Sequence, residues 1–403
     1  AGTVIKPGGM DCWSLNGGNI RVAGILTVSG TLTNPVILTS IRDDAYGGDT
    51  NNDGSTSPAA GDWGAIQIDA TGTANIEHAL MRYGGGCWGN TLSNEGGTLH
   101  VADTRIESGV GAGLRAAAGS TSAVQNSLIQ GIAGHGIQVA SGSTLTVQDS
   151  IIQGNSGSGI DYTQTNGRAA PTIRNTFFHS NTGYAMYFTL NPATFDDSNI
   201  QNNTAAGNTW NGIGLAATFS GASILSSNTG MAYIVPSNNV VGVGASLTVK
   251  AGTVIKPGAI DCWSLNGGNI RVAGILTVSG TLTNPVILTS IRDDPYAGDT
   301  NNDGSASPAA GDWGAIRIDA TGSANIEHAL IRYGGGCWGN TLVNEGGTLA
   351  VSKTTIESGA GTGLRATVGS ASRVQDSIIQ GNAGHGIQVA SGSTLTVQDS
   401  IIQ

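Results

Sequence analysis

The sequence predicts an all-β solenoid, a coil of short strands stacked rung on rung, and three observations predict it. An Asn/Asp-Ser/Thr-x-apolar segment recurs as Asp103-Thr104-Arg105-Ile106, Asn126-Ser127-Leu128-Ile129, Asp149-Ser150-Ile151-Ile152, Asn175-Thr176-Phe177-Phe178 and Asp197-Ser198-Asn199-Ile200. The closing apolar residues lie 23, 23, 26 and 22 positions apart. Residues 1–153 return as 251–403 with 22 of the 153 paired positions changed. Finally, the chain has 64 glycines in 403 residues and only 11% charged residues. What remains is Val, Ile, Leu, Thr, Ser and Asn, which suit pleated strands and turns.

Each element follows from that period. A repeat near 23 residues holds two or three short strands and cannot bury its own apolar face, so matching residues must stack into ladders. Gly-rich turns lead into further strands, as in Gly134-His135-Gly136-Ile137-Gln138-Val139 and Gly157-Ser158-Gly159-Ile160-Asp161-Tyr162. Propeller blades would repeat at about 40 residues, and a sandwich would show no such ladder. Ile76–Tyr83 has some helical spacing but fills a strand slot. Gly plus Pro is too low for low complexity, and no Gly-X-Y triplet runs through the chain.

Charge narrows the partners. A net charge of −10 with 17 Lys plus Arg provides no basic footprint for nucleic acid or anionic lipid. No run approaches the ~18 apolar residues of a membrane span, and the first residues show no basic start or apolar signal core.

The period and the coil segment Ile152-Gln153-Gly154-Asn155-Ser156-Gly157-Ser158-Gly159-Ile160 resemble the right-handed parallel β-helix superfamily of pectate lyases and of tandem-repeat secreted or surface proteins of bacteria. The resemblance implies a right-handed parallel β-helix of about nine coils per 250-residue unit. Residues 1–250 would form the first unit, and 251–403 a second, truncated unit continuing the same solenoid. Neither end reads as a cap, so self-association into fibres, or continuation of a longer array, is the expected partnership.

Between Ile41 and Met81 the interval is 40 residues, so a segment from Asp43 to Asp62 leaves the coil. Asp49, Asn51, Asp53 and Gly54 fit the first half of a calcium loop, where alternate oxygen donors converge and glycine allows the sharp turn. Position twelve would be Ala60, so the closing ligand must come from Asp43, Asp44 or Asp62. The second copy keeps Asp293, Asp294, Asp299, Asn301, Asp303 and Asp312, and Ca2+ is the expected cofactor.

The cysteines fall one pair per unit, Cys12 with Cys87 and Cys262 with Cys337. Their spacing does not suit zinc. Two turns separate each pair by roughly 10 Å, beyond the roughly 4.4–6.8 Å of a disulfide, unless the protruding turns lean together. A bridge would imply an extracellular setting; buried free thiols are the other reading. Trp13, Trp63 and Trp88, with Trp263, Trp313 and Trp338, follow one corner. They either stack on sugar rings or a neighbouring chain, or pack as a small core beneath the turns.

Gly134-His135-Gly136 is similar to the Gly-His-Gly of polygalacturonases. The slots beside His135 are Ala112 and Ser158, only Asp161 on that strand carries a charge of the right kind, and Asp196-Asp197 lies in another column, so no carboxylate is expected at its side. His100 becomes Ala350 in the second copy. The sequence therefore points away from catalysis and toward a structural rod: a calcium-stiffened stalk, adhesin or extracellular fibre. A glycan-binding adhesin using the Trp corner and a polysaccharide lyase or hydrolase are the alternatives.

Overall fold

The structure, a computed structural model, describes residues 1–9, 18–87, 89–227, 231–258, 268–337 and 339–403. By internal contacts the chain divides into two compact units. The first is Ala1–Thr163 with Pro171–Tyr187 and Asn199–Trp210; the second is Gln164–Ala170, Phe188–Ser198 and Asn211–Gln403. The strand ladders of both units are parallel, and no helix occurs among the described residues.

In the first unit each turn contributes to three sheets. One contains Val36–Leu38, Ala79–Arg82, Arg105–Glu107, Leu128–Gln130, Ile151–Gln153 and Phe177–His179. Its inward column Leu38, Met81, Ile106, Ile129, Ile152 and Phe178 is in register and has no exposure. A second contains Ile20–Val22, Ile66–Asp69, Asn90–Glu95, Val110–Ala116 and Ala133–Val139, followed by Ile160–Gln164. Its inward column is Ile66, Leu92, Leu114, Ile137 and Ile160, also fully buried. The third stacks Val28, Ile76, Val101, Val124, Val147 and Ile173. β-Branched residues dominate because every second side chain must fill a narrow, dry interior.

The recurring Asn/Asp-Ser/Thr pair explains itself at the corner. Asp103, Asn126, Asp149 and Asn175 adopt left-handed φ of 48°, 48°, 51° and 51°, which short polar side chains tolerate. The next residue turns its hydroxyl inward: Ser127 Oγ donates to Gln125 O at 2.7 Å and accepts from Thr104 N at 3.2 Å. A ladder of buried amides continues the idea at Asn155, Asn181 and Asn208.

In the second unit the ladders run across residue 250. Asn239–Val241 pairs with Ile270–Val272, and Ser246–Lys250 with Ile275–Ser279. The repeated sequence thus rebuilds the rungs of the first copy, with Val249, Val278, Ile326, Val351 and Val374 in one buried column.

Candidate functional site

The excursion begins earlier than the apolar spacing suggests, because Leu38 pairs with Met81. Thr39 and Ser40 are then fully buried and lead the chain outward. Of the predicted ligands, Asp44, Asp49 and Asp53 converge, each offering an oxygen within 4.8 Å of the others. Asp49 accepts from the backbone N–H of Asp53 at 3.2 Å and of Gly54 at 3.1 Å, while Asn51 Nδ2 donates to Asp53 at 2.5 Å. The Thr56 hydroxyl, foremost, holds the Asp53 carboxyl below its usual value. Asp294, Asp299 and Asp303 repeat the cluster, with Asp299 accepting from Asp303 N at 3.1 Å and Gly304 N at 3.0 Å.

Asp43 and Asp62 face elsewhere. Asp43 accepts from Thr39 Oγ1 at 2.5 Å and pairs with Arg82 at 3.2 Å. Asp62 accepts from Ser40 Oγ at 2.6 Å and Ala59 N at 2.9 Å. Their counterparts do the same: Asp293 accepts from Thr289, and Asp312 from Ser290 Oγ and Ala309 N. These four carboxylates pin the base of the loop to the coil.

Asp44 Oδ1 and Asn51 Oδ1 are buried without a hydrogen-bond partner, and so are Asp294 Oδ1 and Asn301 Oδ1. Orphaned oxygens at the same two positions of both copies are what a hard cation with oxygen ligands would satisfy. Beneath the second loop Lys256 is fully buried, donating to Gly298 O at 2.9 Å and Thr300 Oγ1 at 2.7 Å. Burial pushes its ammonium down to about 8.

Trp63 and Trp313 have no exposure, and their indole N–H groups donate to Arg82 O at 2.6 Å and Arg332 O at 2.8 Å. Neither can stack on an external ring, so the expected glycan or chain contact at these two gives way to the packed core. Trp13, Trp88, Trp263 and Trp338 lie outside the described residues, as do Cys12 and Cys262. Cys87 and Cys337 take left-handed φ of 69° and 65°.

The outer face of the second sheet carries a polar column that sequence reasoning did not assemble: Arg21, Gln67, Ser93, Arg115, Gln138 and Asp161 in register. A groove of about 740 Å³ runs along its first rungs, lined by Asn19, Arg21, Gln67, Asn90, Glu95 and Arg115. Its charges are internally paired. Arg21 Nε reaches Asp69 at 3.0 and 2.9 Å, and Arg115 reaches Glu95 at 2.8 Å.

Further along the same face, His135 Nε2 lies 3.4 Å from Asp161 Oδ2. Ser158 N donates to His135 Nδ1 at 3.1 Å, so in the neutral ring the proton sits on Nε2, facing the carboxylate. Burial raises the Asp161 carboxyl above its ordinary value, and His135 opposes that shift. Gly157 is required here, since a Cβ on it would meet His135 Nδ1 at 2.8 Å. The pair is a titratable dyad of fixed tautomer beside a polar groove, suited to moving a proton to or from a bound ligand.

Fold and site together define a parallel β-helical protein with acidic loops and a polar strand face. A family profile described as right handed beta helix region matches residues 64–170 and 310–403, and the chain belongs to the right-handed β-helix superfamily. Comparison with curated proteins finds no match. Among solved structures, the catalytic unit of a thermostable GH87 α-1,3-glucanase from Streptomyces thermodiastaticus strain HF3-3 is similar at 13% identity and TM-score 0.27, over 95% of this chain and 61% of that one. The Agl-KA catalytic domain is similar at 13% identity and TM-score 0.25, over 94% and 62%. The PL6 family alginate lyase AlyGC is similar at 10% identity and TM-score 0.21, over 95% and 76%. The chain spans about three-fifths of the glucanase structure's length, and no residue role is carried over from these proteins.

The expectation of a structural rod without enzyme activity is corrected. Its local premise fails, because a carboxylate does stand beside His135. Ala112 is in register with His135, and on the next rung Ser158 N donates to its ring. Asp161, three residues beyond Ser158, reaches back across the face. No helix is long and apolar enough to cross a membrane among the described residues.

Proposed function

We propose that the chain is a polysaccharide-degrading β-helical enzyme that holds an extended glycan along the outer face of its second sheet and transfers a proton at the His135–Asp161 dyad. The observation that carries this reading is the 3.4 Å contact between His135 Nε2 and Asp161 on a polar, grooved face. Cleavage of a glycosidic link needs a group that gives or takes a proton at the leaving oxygen or an adjacent carbon. Asp161, whose carboxyl burial raises above its ordinary value, fits that task, and His135 orients it. The Ser158 N–H bond to Nδ1 keeps the imidazole from turning away. Asn19, Gln67, Asn90 and the paired arginines would receive sugar hydroxyls along the groove.

Calcium belongs to the same proposal. Asp44, Asp49 and Asp53 with Asn51, and Asp294, Asp299 and Asp303 with Asn301, would each hold one Ca2+. The ion would neutralise converging carboxylates and stiffen the loop. Disulfides Cys12–Cys87 and Cys262–Cys337 and an extracellular setting complete the reading.

The test is product release. The full chain is incubated with α-glucans, alginate and polygalacturonate, and new reducing ends and unsaturated ends are followed. Asp161→Asn and His135→Ala are expected to lower the rate by about 10²–10⁴, whereas His100→Ala, at an exposed position on another sheet, leaves it unchanged. Cleavage that survives both dyad substitutions would refute the assignment.

A further inference from the structure

The corner between the third and first sheets of the first copy carries a second cluster, unrelated to the acidic loop. Glu77 ends the strand Thr73–Glu77, His78 follows at φ 49°, and Asp103 takes φ 48°. The rungs are joined by the bond from His78 N to Ala102 O at 3.2 Å. Each of the three side chains presents a ligand atom within 4.8 Å of the other two. His78 Nε2 lies 3.9 Å from Glu77 Oε1. The cluster opens onto a groove of about 600 Å³ that His78 and Asp103 line. The nearby Arg105 is engaged with Glu107.

The second copy provides an internal comparison. Glu327 and His328 are retained, but Lys353 replaces Asp103, also at left-handed φ. Its ammonium sits 2.9 Å from Glu327 Oε1, where its hydrogen bond and charge hold the Glu327 carboxyl low. One copy thus places a covalently attached cation at this corner. The other gathers two carboxylates and an imidazole around the same position.

We infer that Glu77, His78 and Asp103 form a binding site for a divalent transition cation such as Zn2+, present in the first copy and replaced by the Lys353 ammonium in the second. Imidazole with carboxylates suits zinc, copper or nickel, whereas all-oxygen sets suit calcium, so this site is distinct from the acidic loops. Two ligands at about 2.0–2.2 Å from one ion can be at most about 4.4 Å apart. The 3.9 Å between His78 Nε2 and Glu77 Oε1 lies inside that limit, and all three ligand atoms fall within 4.8 Å of one another. Water completes the coordination from the groove.

The experiment is calorimetric titration of the full chain with Zn2+ in excess Ca2+, on the wild type, Asp103→Lys, Lys353→Asp and the double exchange. Both residues occur natively in this slot, and circular dichroism checks that each variant is folded. Asp103→Lys is expected to remove one equivalent of zinc and Lys353→Asp to add one; the double exchange restores the wild-type number. His78→Ala should weaken the wild-type site by more than about tenfold. A stoichiometry that ignores the identity of these two residues overturns the inference.

Discussion

Replacing Asn181 by Leu perturbs the amide ladder while keeping the branched outline of the side chain. The Asn181 side chain makes four hydrogen bonds: Nδ2 donates to Ile152 O at 3.0 Å and Asn208 Oδ1 at 2.8 Å, and Oδ1 accepts from Asn155 N at 3.2 Å and Asn155 Nδ2 at 2.8 Å. Asn208 Oδ1 keeps the backbone bond from Asn181 N at 3.0 Å. The two Asn155 donors lose these partners, and Asn155 has no exposure. An orphaned buried donor costs about 1–3 kcal/mol, so the two together predict a loss of about 2–6 kcal/mol. Because stacked rungs open locally, the assay is hydrogen exchange at amides of Ile151–Gln153 and Phe177–His179 together with thermal melting. A loss below about 1 kcal/mol at those amides would show that the ladder is not what seals this corner.

Three further outcomes follow from the same geometry. Asp161→Asn should stabilise the protein near neutral pH. The Asp161 carboxyl is raised by burial, so its stabilising balance is complete below its unfolded pKa and is lost as pH rises through the folded value. The difference in melting temperature between variant and wild type should therefore vanish in acid and grow with pH; a constant difference contradicts the assignment. Chelation of calcium should lower the melting temperature and expose the acidic loops to protease, since an ion at 100 times its dissociation constant adds about 2.7 kcal/mol. Asp49→Ala with Asp299→Ala should abolish that response. Trp63→Ala should destabilise by about 3–5 kcal/mol, because the ring is fully buried, without altering glycan cleavage.

The coil was legible because its rules are local. Asn or Asp at the left-handed corner and Ser or Thr turned inward leave a dipeptide signature, and Ile106, Ile129 and Ile152 follow it at the rung period. The acidic loop was half legible. Alternate Asp49, Asn51 and Asp53 mark the turn, but the sequence alone cannot tell which carboxylates the coil takes for itself. Asp43 is held by Arg82, 39 residues away, and by Thr39. The dyad was missed because Asp161, though the one suitable charge on its strand, stands out of register with His135. His135 leans over Gly157 toward a residue three positions further along the next rung, and the glycines on either side of Ser158 were the signal that such a lean had room. The Glu77–His78–Asp103 corner was hidden for the opposite reason: its change to Lys353 was one of 22 differences until the two corners could be laid side by side.

The most direct test of the account maps where a glycan lies. Hydrogen exchange of the Asp161→Asn chain is followed with and without oligosaccharides of whichever polysaccharide the wild type cleaves. The account predicts protection of Asn90–Glu95, Val110–Ala116 and Ala133–Val139, the strands beneath the polar column. Protection confined to the other two sheets or to the acidic loops, or none with any cleaved glycan, would contradict it.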